Sequence, residues 1–593
     1  MRKIVFLLIL LTVMVSAIAP FCSQTRYYAL ASPLKRFSSY EELKSFVKAN
    51  SRVPYYWSLQ SLDGAMMLRS AQSMESYAPK STIPDHSTTN IQVEGVDEAD
   101  IVKTDGEYVY VVSGKDVTIV KAYPPEDVEF LSQIRLDGAV KGVFINGDRL
   151  VVFEETSETF VKVYDVSDRA FPILKRPVSV SGGYLNSRMI GDYVYAVITQ
   201  PAYYVEDEVS LPRICSGDYI QEISAHEICY SNVSDDFYGF TTIVAVNMQN
   251  DYEEPTHKTF LFGATHCMYV SLNNIYVTFP DGENTLIYRF HIEGGEIECV
   301  ADGEVLGHIL NQFSMDEHEE YFRIATTTGH VAKSLSGATS QNHIYVLDMS
   351  LDIVGRLEDL APGEEIYSAR FMGERCYLVT FKKIDPLFVI DLENPTNPTV
   401  LGQLKITGYS DYLHPYDENH IIGIGKETVE AEEGDFAWYQ GVKISLFDVT
   451  DVENPKEIAK YEIGDRGTDS PVLKDHKAFL FDRTKNLLVI PVLVAEINEE
   501  KYPNGVPPYT HGDYVWQGAY VFNLTLDQGL VFKGRITHLE DNSDLEKSGY
   551  YFYSSYSVKR SLYIDSVLYT ISDKKIRMHL YSNITFVNEI ELP

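Results

Sequence analysis

From residue 91 onward, apolar and polar residues alternate in short runs bounded by Gly, Asp, Asn and Pro, and the runs recur as a unit. Alternation with a period of two places successive side chains on opposite faces, which is the pattern of β-strands. One strand of the unit reads Tyr108–Val112, Leu150–Phe153, Tyr193–Val197, Ile275–Phe279, Tyr321–Ala325, Cys376–Phe381, His420–Ile424, Leu487–Val492 and Val567–Ile571. The strand after it reads Val117–Val120, Val161–Asp165, Thr242–Asn247, Leu286–Phe290, Ile344–Asp348, Leu387–Asp391, Ile444–Asp448, Ala519–Asn523 and Ile576–Leu580, which makes nine candidate units. The turn that follows carries the clearest signature: Asp165-Val-Ser-Asp-Arg-Ala-Phe-Pro172, Asp391-Leu-Glu-Asn-Pro-Thr-Asn-Pro398 and Asp448-Val-Thr-Asp-Val-Glu-Asn-Pro455. Asx side chains bond the local backbone and Pro fixes φ, so this spacing closes a hairpin into an outer strand such as Val400-Leu-Gly-Gln-Leu404. The aspartates read as turn formers.

A four-stranded unit repeating roughly every 40 residues cannot bury both faces alone, and a ring of such units does so while removing long free edges. The pattern therefore predicts an all-β fold, a single β-propeller of eight or nine four-stranded blades with a short N-terminal helical segment. The count stays open at this point because the first and last units can complete one shared blade. With three tryptophans in the whole chain there is no Trp in every blade, which weighs against the WD-repeat and quinone-cofactor propeller types.

Ahead of the repeats the chain divides into 1–19, a signal peptide or anchor, and 20–90, a helix and linker, leaving 91–593 for the propeller. Met1-Arg2-Lys3 and the apolar run Ile4 to Ala19 have the order of a secretory signal, with Ala17-Ile-Ala19 as its cleavage site, although Pro20 disfavours cleavage. An uncleaved anchor is the alternative, since about 16 to 18 apolar residues are marginal for spanning a membrane. Lipid attachment at Cys22 lacks the small residues expected just before it. Either way the bulk of the chain is expected outside the cell, secreted or at the cell surface. Ser39-Tyr-Glu-Glu42 reads as a capping box opening a helix whose apolar face is Leu43, Phe46 and Val47. So short a helix has to dock on something.

The net charge of −35 repels phosphate backbones and anionic membranes, so nucleic acid is not expected as a partner, and a membrane only through an uncleaved N-terminal segment. Of six cysteines, Cys215 and Cys229 lie in a polar insertion at a spacing that suits a loop-closing disulfide. Cys267, Cys299 and Cys376 fall in strand-like runs and read as small buried apolar residues. Asn232, Asn523 and Asn583 begin sequons and are glycan acceptors where the machinery exists.

Four units carry extra residues between these two strands, at Gln200 to Phe240, Thr328 to Asn342, Lys426 to Gln440 and Leu493 to Gly518. Equivalent propeller loops share one face, so the insertions are expected to gather there as a lid or docking surface. They combine aromatics with acids: Tyr203, Tyr204, Glu206 and Asp207; Asp435, Phe436, Trp438 and Tyr439; Tyr509, His511, Asp513 and Trp516. Rings beside carboxylates suit sugars or cationic peptides, and Trp438, Tyr439, Asp435, His511, Asp513 and Trp516 are the binding candidates. Glu94, Asp97, Glu98 and Asp100 could ligate calcium through oxygen but lack the spacing of a calcium loop, and their plainer role is to lead the chain into the first blade. The histidines show no zinc spacing, and neither a Gly-x-Ser-x-Gly elbow nor a phosphate loop occurs, so no catalytic residue is named.

The stretch Thr89-Asn-Ile-Gln-Val-Glu-Gly-Val-Asp-Glu-Ala-Asp-Ile-Val-Lys-Thr-Asp-Gly106, running into Tyr108-Val-Tyr-Val-Val112, resembles the lead-in motif of the secreted β-propeller family, archaeal and bacterial exported proteins distantly related to WD repeats. The Asp-x-x-x-Pro turns resemble LVIVD-type repeats. The resemblance covers most of residues 39–593, including Asp475-His-Lys-Ala-Phe-Leu-Phe481 and Leu488-Val-Ile-Pro491. It implies fold and export, and the family brings no reaction, cofactor or catalytic residue with it. The expected function is an extracellular binding or scaffolding module for a protein or glycan partner. The alternatives are a carbohydrate- or peptide-acting enzyme with carboxylates at the channel mouth, and a structural component of the cell envelope.

Overall fold

The computed structural model describes residues 34–50 and 84–593, apart from 218, 232–237, 264, 331–338, 383–384, 432–435 and 550. Among the described residues, nine four-stranded antiparallel meanders follow one another along the chain, the third interrupted by an insertion between its second and third strands. They are blade 1 (102–135), blade 2 (139–181), blade 3 (183–262), blade 4 (267–306), blade 5 (315–360), blade 6 (365–406), blade 7 (409–463), blade 8 (480–536) and blade 9 (560–591). The second and third strands of every blade coincide with the alternating runs of the sequence.

Apolar side chains from both faces of each sheet pack against the neighbouring sheets. One core joins blades 2 and 3 through Phe153, Val161, Val194 and Val244, and another joins blades 7 and 8 through Ile422, Ile444, Leu488 and Val492. The ring closes where Val109, Val111 and Val120 of blade 1 meet Ile564, Tyr569 and Ile576 of blade 9. Blades 1 and 9 are each complete, so no blade is shared and nine four-stranded units are counted among the described residues. Closure thus rests on side-chain packing, and among the described residues no interstrand ladder joins the two ends.

The turn signature has a packing role beyond closing its own hairpin. The Asp391–Pro398 turn of blade 6 lies against the fourth strand of blade 5, where a Cβ on Gly355 would stand 2.0 Å from the Pro395 carbonyl oxygen. The Asp448–Pro455 turn repeats the contact one blade on, with a Cβ on Gly402 only 2.1 Å from the Val452 carbonyl oxygen. Between blades 1 and 2 the same place holds Ser132, whose hydroxyl donates to the Arg169 carbonyl at 2.6 Å. A small residue in the outer strand therefore accepts the next blade's turn, which sets the spacing at the rim.

The insertion of blade 3 departs from expectation. Its strands Arg213–Ser216 and Tyr219–Glu222 extend the outer edge of blade 2, and Ile228–Tyr230 adds in parallel to the outer edge of blade 3. It forms an outer wall, because its alternating segments find open sheet edges beside them. Helix α1 (Tyr40–Asn50) docks on that wall, burying Leu43 and Val47 beside Val209, Ala225 and Ile228. The Ser39 hydroxyl caps it at 3.1 Å from the Glu42 nitrogen, and Phe37 stacks on Tyr230 at 3.9 Å between ring centres. Among the described residues no helix is long and apolar enough to cross a membrane, and the apolar run Ile4 to Ala19 lies outside them.

Candidate functional site

Two regions gather polar and aromatic side chains: the axis of the ring, and the face where the second strand of each blade turns into the third.

The axis is filled by the lead-in motif. His86 bridges to Ile564 in the first strand of blade 9, and Asn90 donates to the Tyr412 hydroxyl at 3.1 Å on blade 7. Gln92 donates to the Met315 carbonyl at 3.1 Å on blade 5. Asp97–Glu98 pairs as an inner strand with Arg188 and Met189 of blade 3, and Asp100 bridges to Val143 of blade 2. A short segment that reaches the first strands of five blades around a ring crosses its centre. We call residues 85–100 the strap.

Its carboxylates at Asp97, Glu98 and Asp100 are ion-paired. Glu98 lies 3.6 Å from Arg188 and 3.8 Å from His476, and accepts from Gln312 at 3.3 Å. Asp100 receives Nε of Arg560 at 3.0 Å and Nη2 at 2.8 Å, and the same guanidinium bonds Asp475. Asp97 accepts from Lys103 at 2.6 Å. Burial works against ionisation of Asp475, but the Arg560 guanidinium and the Lys477 ammonium outweigh it and hold its carboxyl below the ordinary value. Burial, reinforced by the positive charge of Lys477, keeps His476 neutral, and burial does the same for His414 with Arg370 beside it. Of the calcium candidates, Asp97, Glu98 and Asp100 each have a cationic side chain on their oxygens, and Glu94 is exposed on the strap. Among the described residues no three His, Cys, Asp or Glu side chains come together as a metal site.

On the loop face the insertions of blades 7 and 8 lengthen their hairpins, with Glu430 opposite Ala437 and Glu496 opposite Asp513. This brings Trp438 edge-on to Phe436 at 5.1 Å and to Tyr509 at 5.8 Å, with the Arg466 guanidinium over the indole at 5.2 Å. Arg466 also donates to the Tyr439 carbonyl at 2.9 Å. Tyr439, the next residue, points to the opposite face of the strand, where it meets Tyr409 at 5.1 Å and shares a hydroxyl hydrogen bond of 3.0 Å with Tyr367. Tyr509 is 61% exposed and Tyr439 39%, so the cluster offers ring surface to solvent.

The remaining candidates disperse. Trp516 packs on its own blade against Tyr520 at 5.2 Å, with Arg535 over the ring. Exposed His511 stands edge-on to Tyr514, and Asp513 is exposed beside Lys501. Asp435 and Asn232 lie outside the described residues. Asn583 is exposed in a turn, while Asn523 sits in a ladder between Leu487 and Val531. The bridge expected between Cys215 and Cys229 is not formed. Both thiols are free, and the insertion delivers them to different sheets, Cys215 opposite Ser179 on blade 2 and Cys229 opposite Phe260 on blade 3. Tyr367, Tyr409 and Arg466, which complete the cluster, were not among the sequence candidates because no motif or insertion marks them.

A family model described as Beta propeller domain matches residues 86–584. The chain belongs to the β-propeller domain family. The chain is similar to an uncharacterized protein of Methanocaldococcus jannaschii, 29% identical with 94% of this chain and 92% of that protein covered, and to one of Archaeoglobus fulgidus, 25% identical with 83% and 90% covered. Among solved structures the chain is similar to the crystal structure of AztD from Citrobacter koseri, with a TM-score of 0.36, 11% identity and coverage of 84% of this chain and 94% of that one. The family match begins at the strap, so the lead-in motif is part of the domain.

Proposed function

We propose that this protein is an exported, non-enzymatic binding module that holds a protein or glycan partner on the loop face of blades 6 to 8. The observation that carries the reading is two ring groups flanking the blade 7 hairpin, Trp438 with Tyr509 and Tyr439 with Tyr367, drawn from three blades and partly open to solvent. Rings fixed by neighbouring rings lose little freedom on binding, which is why Trp and Tyr anchor recognition surfaces. The acids nearest the axis are engaged by Arg188, Arg560 and Lys103, an arrangement that favours structure over proton transfer there. Calcium has no part in this reading, since those same cations already serve Asp97, Glu98 and Asp100.

The test is retention of envelope polysaccharides and purified surface proteins from the producing organism on immobilised protein. Wild type is expected to retain one class, and a Trp438→Ala, Tyr439→Ala, Tyr509→Ala triple variant to lose it while keeping its thermal transition. Equal retention by both proteins would overturn the reading. Mapping the mature N-terminus in the native culture checks the export part, with recovery from the cytoplasm as the outcome against it.

A further inference from the structure

Outside these regions, the seam between blades 3 and 4 holds two thiols that nothing so far accounts for. Cys229 sits on the edge strand Ile228–Tyr230, directly opposite Phe260 of blade 3. Cys299 sits on the outer strand of blade 4, directly opposite Phe290. Cross-strand partners point to the same face of a sheet. The rings of Phe260 and Phe290 meet across the seam at 4.6 Å, so each cysteine, one strand further out than its Phe partner, also faces the seam. Both thiols pack on the core those rings belong to, and both are partly accessible. Cys267 and Cys376 are buried inside the blades, and Cys215 is on another sheet.

We propose that Cys229 and Cys299 form a disulfide when the protein meets a thiol–disulfide oxidant, stapling the edge strand 228–230 to blade 4. In the first step one thiol loses its proton and attacks the oxidant's S–S bond, giving a mixed disulfide and one reduced thiol of the oxidant. In the second, the other cysteine attacks the protein sulfur of that mixed disulfide and releases the remaining half of the oxidant as a thiol. Two protein thiols thereby lose two electrons and two protons, and the oxidant gains them. The edge strand also carries Lys35–Arg36, opposite Tyr230 and Cys229. The staple therefore fixes the docking site of α1, and with it the attachment of the N-terminal segment to the ring.

The experiment uses the purified full chain, equilibrated with mixtures of reduced and oxidised glutathione, alkylated and mapped without reduction. The expected result is a cross-linked peptide pair containing Cys229 and Cys299, two fewer alkylated cysteines, and a fall in Tm on reduction. Cys215→Ser should retain the cross-link, while Cys229→Ser and Cys299→Ser should each abolish both it and the Tm response. Two variants guard against misfolding of either one. Persistent alkylation of both cysteines under oxidised glutathione, a Cys215–Cys229 cross-link, or glutathione held on either cysteine as a stable mixed disulfide would each overturn the proposal.

Discussion

The axis and the loop face draw on the same side-chain types, yet they use them in opposite ways. At the axis, Arg188, Glu98, Arg560, Asp100 and His476 are nearly inaccessible, and each spends its hydrogen-bonding capacity on the strap or on a loop that reaches it. On the loop face, Trp438 meets Tyr509 edge-on under the Arg466 guanidinium, Tyr439 meets Tyr409 on the other face of the strand, and these side chains keep surface in water. Buried charges are costly to leave unpaired, so the axis is specified as a set. Partly solvated rings can be removed singly, because water takes over what they lose. The strap, which ties five blades together, is thus suited to holding the ring closed, and the cluster to meeting a partner.

The sharpest way to break this contrast is Arg560→Met. It leaves buried Asp100 without its cation and half-buried Asp475 with Lys477 alone, and losing one partner of a buried pair typically costs about 3–5 kcal/mol. Urea denaturation should show a loss of that order, and Arg560→Met combined with Asp100→Asn and Asp475→Asn should recover much of it. A single variant within about 1 kcal/mol of wild type would mean that the axis is no more specified than an exposed salt bridge.

Acid should separate the regions next. His414 and His476 have folded pKa values well below the ordinary 6.5, so the unfolded chain binds more protons once the pH falls below about 6.5. Their contribution is present above that value and is lost as the pH falls toward the folded values. Hydrogen-exchange protection of residues 85–100 should drop progressively as the pH falls below about 6.5, ahead of protection in the hairpin around Trp438. His476→Gln, which keeps a donor for the Asn90 carbonyl, should flatten that drop. Simultaneous loss in both regions would instead mark a global transition.

On the loop face, Trp438→Ala removes two ring-edge contacts worth about 0.5–1.5 kcal/mol each and the stacking of Arg466. Thermal stability should change little, while affinity for whatever partner the wild type retains should fall about tenfold or more, as for a central aromatic anchor. A large stability loss with unchanged retention would reassign the cluster to packing.

How much of this was legible follows the range of the interactions. The strands were readable because alternation and Asx-Pro turns are local, and each blade is one contiguous stretch such as 365–406. That the strap leads the chain into blade 1 was readable as well. Its ion pairs were not, because Asp100 and Arg560 are 460 residues apart in the chain and no local pattern couples them. The insertion 200–240 misled because its length was visible but not the open edges of blades 2 and 3 that capture its strands, and the same oversight placed Cys229 beside Cys215. Trp438 and Tyr439 were found through composition within a long hairpin. Tyr367 and Tyr409 sit in ordinary first strands, where nothing distinguishes them from core residues until the fold brings Tyr439 between them.

The smallest expected effect tests whether that rim is built like the axis in miniature. Tyr439→Phe removes the 3.0 Å hydroxyl bond to Tyr367 while keeping the ring contact with Tyr409. At a site where water can reach, the lost bond should cost no more than about 1 kcal/mol. A double-mutant cycle with Tyr367→Phe should then give a coupling near the lower end of the usual range, about 0.5 kcal/mol. A coupling of about 2 kcal/mol or more would show the two hydroxyls acting as a buried polar pair, and would move the cluster from the recognition surface into the framework of the ring. A weak coupling is what a docking surface requires, since a partner can replace that bond only if the free protein gives it up cheaply.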